Sequence, residues 1–226
     1  VNSNKSYDFF RNRLIFPIHD NNGDVIAFGG RGLEGTEPKY LNSPDSILFK
    51  KRKTLFNFHR AKRYIQKHKF PFIVVEGYID VIALYHVGLY GAVAPLGTAL
   101  SDDQLIMMWR LSDEPIICMD GDKAGYRSAI RTLHIALPLI KPGKSLRFIF
   151  LPDGQDPDNL IANDKKDLLI NILNNPMAMF DFLWKSETEN ISLDTPERRA
   201  GFKFLMEKKI SLIIDQTVRR EYKNSF

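Results

Sequence analysis

Between residues 70 and 160, short apolar runs alternate with amphipathic segments. The runs FIVVEG, AVAPLG, PIICMDGD and LRFIFLPDG have the length of buried strands, and the segments between them carry apolar residues at helical spacing. One of these segments begins SDDQ, in which Ser101 and Gln104 form a capping-box pattern typical of a helix start. This alternation predicts a parallel sheet with helices on both faces.

The segment before residue 70 has a different pattern. RLIFPIHD and VIAFGGRGL are strand-like runs, and NNGD between them is a hairpin turn signal. EPKYLNSPDS follows and is interpreted as a loop. The basic stretch FKKRKTLFNFHRAKRYIQKHK comes next and is expected to end in a helix. Residues 1–69 are therefore predicted to form a small basic β-rich subdomain.

The segment after residue 160 lacks strand signals and is interpreted as helices. NNP at 174–176 indicates a break, and DTPE at 194–197 indicates an N-cap followed by proline in the first helical position. The whole chain is thus predicted to be α/β. It has a basic N-terminal β-rich subdomain (1–69), a central Rossmann-like domain with a mostly parallel sheet (70–160) and a helical C-terminal subdomain (161–226).

Composition narrows the class of protein. The chain has 226 residues, of which 44% are hydrophobic, as expected for a globular protein. Its single cysteine, Cys118, excludes an internal disulfide or a cysteine-rich zinc cluster and favours the cytosol. No apolar run approaches the roughly 20 residues of a membrane span. The chain does not begin with Met and has no signal-peptide pattern, so we expect it to be part of a longer protein.

Charge is distributed unevenly along the chain. The net charge is +5, but residues 1–69 hold 14 Lys and Arg against 6 Asp and Glu, and the remainder is net −3. A basic block of this kind favours nucleic-acid contact, and a solvated surface is the alternative.

Acidic residues follow three of the predicted strands. Glu76 follows FIVV, Asp120 and Asp122 follow IICM, and Asp153, Asp156 and Asp158 follow FIF. The carboxyl ends of parallel strands lie at one edge of a sheet, where ligands bind. Closely spaced carboxylates repel one another unless a cation neutralises them, and oxygen ligands favour magnesium or manganese over zinc.

Local spacing leaves two interpretations of these acids open. In Asp-Gly-Asp the two carboxylates point the same way from an extended segment, and the glycine permits close backbone approach. Asp80 lies one helical turn past Glu76. The alternative is that each aspartate caps the helix that follows it.

The motifs together resemble a known family. VVEGYIDVIAL, APLGTAL, CMDGDKAG and LPDGQDPD resemble the Toprim domain of bacterial DNA primase. RLIFPIHD, GGR and KYLNSP resemble the basic subdomain that precedes it in the RNA polymerase core. The acidic motifs alone would indicate only Toprim, which topoisomerases, a recombination mediator and a class of nucleases share, and the additional motifs narrow the resemblance to primase.

The resemblance implies a DNA-directed RNA polymerase that makes short RNA primers on single-stranded DNA during replication. Its motif positions place the catalytic metal site, for Mg²⁺ or Mn²⁺, at Glu76, Asp120 and Asp122. They complete the acidic cluster with Asp80, Asp156 and Asp158. They assign nucleic-acid or nucleotide contacts to Arg31, Lys39, Tyr40, Asn42 and Lys51. Arg52 departs from the family pattern, because many members have glycine there.

The resemblance also implies partners. These are the single-stranded DNA template, the RNA primer and ribonucleoside triphosphates. Whole primases also have a zinc-binding domain in front of this core and a helicase-binding domain behind it. We therefore expect the zinc, and the contacts with replicative helicase and single-strand-binding protein, to lie outside this chain. The expected location is the bacterial cytoplasm, at the nucleoid-associated replisome, without a membrane.

Two other functions use the same features. A Toprim nuclease or topoisomerase would use the carboxylates to cleave nucleic acid, although a topoisomerase also needs a tyrosine nucleophile in a further domain. A non-catalytic fragment would hold DNA on its basic subdomain and use the acidic cluster only for structure. Binding that survives chelation and carboxylate substitution would distinguish the last of these.

Overall fold

Two β-sheets organise the chain in the computed structural model, which describes residues 7–68, 71–97, 99–189 and 191–226. The first sheet is antiparallel in the order β1 (Arg13–His19), β2 (Val25–Gly32) and β3 (Tyr40–Asn42). In the predicted turn between β1 and β2, the carboxylate of Asp20 accepts hydrogen bonds from the backbone N–H groups of Asn22 (2.8 Å) and Gly23 (2.9 Å). The predicted hairpin is confirmed.

β3 lies in the segment that was interpreted as a loop. The strand has three residues, and its pairing with Gly29–Arg31 of β2 is a long-range contact. Such a short strand has no hydrophobic alternation to mark it in the sequence. The loop interpretation was therefore wrong for Tyr40–Asn42.

The second sheet has five strands in the order β5-β4-β6-β7-β8. They are β4 (Ile73–Val74), β5 (Ala92–Val93), β6 (Ile116–Met119), β7 (Arg147–Phe150) and β8 (Met177–Ala178). The first four are parallel, as predicted, and β8 runs antiparallel to β7. β8 corrects the expectation that the segment after residue 160 has no strand. Its two residues carry no strand signal and are defined only by pairing at the sheet edge.

Nine α-helices lie in the described part of the chain. They are α1 (Phe58–His68), α2 (Tyr78–His86), α3 (Asp102–Trp109), α4 (Lys123–Ala136), α5 (Pro157–Ala162), α6 (Lys166–Leu173), α7 (Met179–Thr188), α8 (Pro196–Ile210) and α9 (Gln216–Asn224). The predicted caps are confirmed, because Ser101 Oγ accepts from Gln104 N (3.2 Å) and Thr195 Oγ1 accepts from Arg198 N (3.3 Å). Among these helices none is long and apolar enough to cross a membrane.

Three hydrophobic clusters hold the two sheets and the helices together. Alternate residues of the central strands face opposite sides, so Val74 and Ile117 pack with α3 and α4 while Ile73 and Cys118 pack with α2 and α5. A third cluster joins the first sheet to the start of α2 and contains Phe16, Ile18, Ala27, Phe49, Tyr78 and Leu96. The predicted mixed α/β fold is confirmed, while its boundaries at residues 69 and 160 stay predictions.

The amide of Gln104 ties the basic segment before α1 to the start of α3. It is fully buried, and its Nε2 donates to the carbonyls of Lys51 (3.0 Å) and Thr54 (2.7 Å). Its Oε1 accepts from the backbone N–H of Ser101 (3.0 Å). One side chain thus satisfies three backbone groups from two segments.

We expect Gln104→Leu to lower the free energy of unfolding by about 2–4 kcal/mol, because three buried or partly buried backbone groups would each lose a hydrogen bond. Urea denaturation of the 226-residue chain measures the change. Gln66→Leu on the exposed face of α1 is the matched control and should change stability by less than about 0.5 kcal/mol. Equal losses in both variants would contradict the assigned role of the amide.

Candidate active site

The order of the central strands creates a crevice between β4 and β6. From β4 the chain moves to β5 on one side, and then crosses to β6 on the other side. Open α/β sheets bind ligands at such a switch point, beyond the carboxyl ends of the strands. Glu76 follows β4 and Asp120 follows β6, and Glu76 Oε1 accepts a hydrogen bond from the backbone N–H of Asp120 at 3.3 Å.

The carboxylates at this crevice perturb one another. Burial, followed by the charges of Glu76 and Asp80, raises the pKa of Asp120 to about 8. Asp120 Oδ1 is buried and has no hydrogen-bond partner. Burial, followed by the charge of Asp156, also raises the pKa of Asp80 to about 6. Negative charge is therefore unfavourable at this point unless a cation accompanies it.

Two of the predicted ligands are also helix caps. Asp122 Oδ1 accepts from the backbone N–H groups of Ala124 (2.8 Å) and Gly125 (2.7 Å) at the start of α4. Asp156 Oδ1 accepts from Asn159 N (2.6 Å) at the start of α5. The capping interpretation is thus confirmed for both side chains. In each of these caps the bonds go to a single carboxylate oxygen.

A cavity of about 320 Å³ joins the acidic crevice to the first sheet. Among the predicted site residues, its acidic lining is Glu76, Asp80, Asp120, Asp156 and Asp158, and its other lining is Arg31, Lys39 and Tyr40. Asp122 lines a neighbouring cavity of about 530 Å³, which it shares with Asp120. Eight of the predicted site residues, three from the basic segment and five from the acidic motifs, therefore line one cavity that holds both cations and carboxylates.

Asn42 and Lys51 occupy other positions. Asn42 Oδ1 accepts a hydrogen bond from the Tyr78 hydroxyl, and Asn42 does not line the cavity. Lys51 lies in the 3-10 turn Lys51–Lys53, outside the cavity lining. The adjacent Arg52 pairs with Asp102 at 3.3 Å. The structure therefore brings Lys51 to the start of α3 rather than to the carboxylates.

Tyr78 is a residue of the site that the sequence did not single out. Its ring contacts those of Phe16 (5.4 Å between centroids) and Tyr40 (5.8 Å). Burial raises the pKa of its phenol to about 12, so the hydroxyl stays neutral and donates to Asn42. Tyr78 lies in the quoted EGYID motif, but its contacts with the first sheet could not be inferred from position alone.

Arg131 on α4 is a second residue that sequence reasoning missed. It lines a cavity of about 260 Å³ together with Glu76. Burial raises the pKa of Glu76, and the charge of Asp122 adds to the rise, whereas a hydrogen bond from the Asp120 backbone and the charge of Arg131 oppose it. Arg131 therefore favours the ionised form of Glu76.

The side chains at the crevice supply the oxygen donors that a divalent cation such as magnesium prefers. Within the described ranges, no three His, Cys, Asp or Glu side chains are placed together as a finished metal shell. The donors are nevertheless all hard oxygens, and the unpartnered buried oxygen of Asp120 is a free acceptor among them. A cation at this oxygen would offset the burial and the charge repulsion that together raise the pKa of Asp120.

Glycines allow the acidic loops to approach each other closely. Gly121 donates its N–H to the Gln155 carbonyl (2.9 Å), and Gly154 donates to the Gly121 carbonyl (2.8 Å). A Cβ atom at Gly121 would lie 1.8 Å from the Pro152 carbonyl oxygen. The glycine of DGD is therefore required by the packing of the LPDGQDPD loop.

Gly125 on α4 has a similar role beside Glu76. A Cβ atom there would lie 2.5 Å from the Asp120 carbonyl oxygen and 2.9 Å from Glu76 Oε1. We expect Gly125→Ala to lower the free energy of unfolding by about 2–3 kcal/mol through this overlap. Gly201→Ala on α8 has open space and should raise it by about 0.5–1 kcal/mol, because alanine favours a helix. Thermal unfolding compares the two, and stabilisation by both would contradict the overlap.

Comparison with known proteins agrees with this architecture. Residues 1–62 match the family model described as the N-terminal domain of the DNA primase catalytic core, and residues 71–150 match the Toprim domain model. The DNA primase of Escherichia coli K12 is 42% identical over 217 residues, which are 95% of this chain and 37% of that protein. The chain thus spans about 37% of the length of the curated relatives it matches.

Solved structures match over almost the whole chain. A DNA primase domain from Pseudomonas aeruginosa has a TM-score of 0.91 and 36% identity, with 99% of this chain and 70% of that chain covered. A primase catalytic domain described as bound to single-stranded DNA has a TM-score of 0.86 and 40% identity, with 98% and 71% covered. With these matches and the site described above, the chain belongs to the bacterial DNA primase family.

Proposed function

We propose that this chain is the catalytic part of a DNA primase, which synthesises short RNA primers on a single-stranded DNA template. The observation that carries the proposal is the cavity in which strand-end carboxylates face Arg31, Lys39 and Tyr40. The structural relative described as bound to single-stranded DNA supports the choice of template. Family membership supports RNA polymerisation as the reaction.

In the proposed reaction, the 3′ oxygen of the primer forms a bond to the α-phosphorus of a ribonucleoside triphosphate. The bond to the β-phosphate breaks, pyrophosphate leaves with that electron pair, and the hydroxyl proton passes to a basic oxygen of the site or to water. Such transfer depends on positioning and on neutralising the phosphates. Arg31 and Lys39 supply positive charge on one side of the cavity.

The acidic side would hold a divalent cation, for which we propose magnesium or manganese. Glu76, Asp120 and Asp122 are the proposed central ligands, with Asp80, Asp156 and Asp158 around them. Bound there, the cation would neutralise charge on the transferring phosphoryl group and acidify the 3′ hydroxyl. A hydrogen bond from the Asp120 backbone N–H and the charge of Arg131 oppose the rise in the pKa of Glu76 that burial causes, and so favour the ionised form that this role needs.

The first sheet would position the nucleotide or the template. Tyr40 lines the cavity and is 39% exposed, and a tyrosine ring in such a position can stack on a base. Asn42 acts indirectly, because it accepts from Tyr78 and does not line the cavity. Lys51 remains a proposed contact for nucleic acid at a distance from the carboxylates.

A priming assay tests the proposal. The chain is incubated with single-stranded DNA, labelled ribonucleoside triphosphates and Mg²⁺ or Mn²⁺, and the labelled RNA is resolved by length. Template-dependent oligoribonucleotides that disappear with EDTA would support it. RNA that forms without template would contradict it. The absence of RNA under all metal and nucleotide conditions, in a folded chain that binds the template, would also contradict it.

A Toprim nuclease or topoisomerase is not favoured, because the primase-specific N-terminal domain model matches residues 1–62 beside the Toprim match. The same preparation should leave supercoiled plasmid uncut and unrelaxed in the presence of Mg²⁺.

The remaining partners are part of the same proposal. The RNA primer and ribonucleoside triphosphates would meet the cavity. The replicative helicase and single-strand-binding protein would bind regions outside this chain, as would the zinc of the family. We place the protein in the bacterial cytoplasm, at the nucleoid-associated replisome.

A further inference from the structure

A stripe of cations runs along α1, outside the candidate active site. Arg60, Arg63 and Lys67, together called the α1 stripe, are exposed, and with Tyr64 they occupy positions i, i+3, i+4 and i+7 of the helix. This spacing places the four residues on one face. The residues that α1 buries are Phe58, Ala61 and Ile65.

Among the described residues, no acid forms an ion pair with the α1 stripe. α1 contains no Asp or Glu, and the ion pairs within the described ranges all involve other cations. The preceding basic turn differs, because Arg52 pairs with Asp102 at 3.3 Å and Lys53 pairs with Asp103 at 3.9 Å. Positive charge therefore accumulates on α1, where no ion pair with a described residue neutralises it, and such a surface suits a polyanion.

Aromatic rings adjoin the α1 stripe. Tyr64 stacks on Tyr90 with 4.6 Å between ring centroids, and the ring of Tyr85 packs edge-on against Tyr90 at 4.7 Å. All three side chains are partly exposed. Proteins bind single-stranded nucleic acid with cations next to aromatic rings. The cations bind the phosphates, and the rings contact the bases or sugars.

This surface lies along the edge of the central sheet rather than at the crevice. α1 adjoins the edge strand β5, where Asn57 Nδ2 donates to the Ala92 carbonyl (3.0 Å). Tyr85 is near the end of α2 and Tyr90 precedes β5, so the rings lie at the end of the sheet opposite the carboxyl ends of its parallel strands. A helix of this length, about 16 Å, is long enough for two or three nucleotides.

We propose that the α1 stripe and the ring of Tyr85 form a second binding surface for single-stranded nucleic acid, separate from the carboxylate cavity. The cations bind phosphates, and the tyrosine contacts a base or sugar. The surface would hold a strand that extends beyond the active site. The inference rests on the proposed function only for the identity of the polyanion, because neither the carboxylates nor a metal ion takes part in this binding.

The test measures binding without metal. Fluorescence anisotropy with a labelled oligothymidylate of about 16 nucleotides, in EDTA, compares the wild type with Arg60→Gln/Arg63→Gln/Lys67→Gln. The matched control removes three exposed cations of the helical subdomain, Lys203→Gln/Lys208→Gln/Lys223→Gln. Both triples lose the same net charge. Circular dichroism and thermal unfolding establish that each variant is folded.

The variant with all three substitutions in the α1 stripe, called the α1 triple, should bind the oligothymidylate about tenfold more weakly than the wild type at low salt. The slope of log K against log salt should fall by about 2 in magnitude. The control triple should change the affinity by less than about twofold. Tyr85→Leu should weaken binding about threefold or more, and Tyr85→Phe should retain it. Equal effects of the two triples, or an unchanged salt slope, would overturn the inference. So would an effect of Tyr85→Phe equal to that of Tyr85→Leu.

A competitor distinguishes nucleic acid from an acidic protein. Unlabelled oligothymidylate should displace the probe from the wild type more effectively than polyglutamate at equal charge concentration. Equal displacement would assign the surface to an acidic partner and overturn the inference.

A separate priming assay of the wild type distinguishes failure of this inference from failure of the proposed function. If the wild type makes primers and the α1 triple binds the oligothymidylate normally, only the α1 surface is refuted. A binding defect without any priming would refute only the proposed function.

Discussion

Asp120→Asn should reduce primer synthesis roughly 1,000-fold or more, because it removes the charge of the carboxylate at the centre of the proposed cation site. Asp120 directly follows β6, accompanies Glu76 at the switch point and has an unpartnered buried oxygen. Asparagine preserves the size of the side chain, so the loss would come from chemistry rather than packing. The measurement is the initial rate of primer synthesis at saturating nucleotide and template.

The matched control for this loss is Asp167→Asn. Asp167 is an exposed acid in the first turn of α6, and it lines neither the cavity that contains Glu76 nor the neighbouring cavity shared by Asp120 and Asp122. We expect its rate to stay within about twofold of the wild type. Loss of activity in both variants, or retention in Asp120→Asn, would contradict the role assigned to Asp120. Oligonucleotide affinity in EDTA should be similar in all three proteins, which separates catalysis from binding.

The free energy of unfolding should fall as pH rises from about 6 to 8 when metal is chelated. In the folded chain Asp120 has a pKa of about 8, against an ordinary value of 3.8. The folded state therefore keeps a proton that the unfolded state has already released, so rising pH favours unfolding until the folded group also ionises. Partial exposure reduces the effect, and we expect a loss of about 0.5 kcal/mol per pH unit from this group.

Asp120→Asn should remove most of this fall and be more stable than the wild type at pH 8 by about 1 kcal/mol. Urea denaturation at several pH values measures the difference, with Asp167→Asn as the control that keeps the wild-type slope. Millimolar Mg²⁺ should then stabilise the wild type more than Asp120→Asn, because binding to the folded state alone stabilises it. A slope that is unchanged in Asp120→Asn would show that the buried carboxylate is not its source.

The pattern along the chain predicted most of the secondary structure but missed its shortest pieces. The parallel strands and the caps at Ser101 and Thr195 follow from local periodicity and hydrogen-bonding chemistry, and both are confirmed. β3 and β8 have three and two residues, and only pairing with β2 and β7 defines them. Contacts between distant segments leave no periodic signal in sequences that short.

The candidate site, like the secondary structure, was predicted from the sequence only in part. Strand-end positions predicted that Glu76 and Asp120 would lie at one edge, because parallel strands end together. The capping roles of Asp122 and Asp156 were an open alternative that geometry decided. The position of Lys51 away from the cavity depends on how the 3-10 turn packs against α3.

By itself, the sequence determined the alternation of strands and helices, the acidic ends of the strands and the basic front of the chain. These are local properties, set by side-chain chemistry within a few residues. Tertiary structure alone decided that Arg131 lines a cavity with Glu76 and that Tyr78 donates to Asn42. It also decided that, in the described part of the chain, the α1 stripe forms no ion pair. Each of these depends on packing between segments far apart in the chain, for which the residues involved carry no local signal.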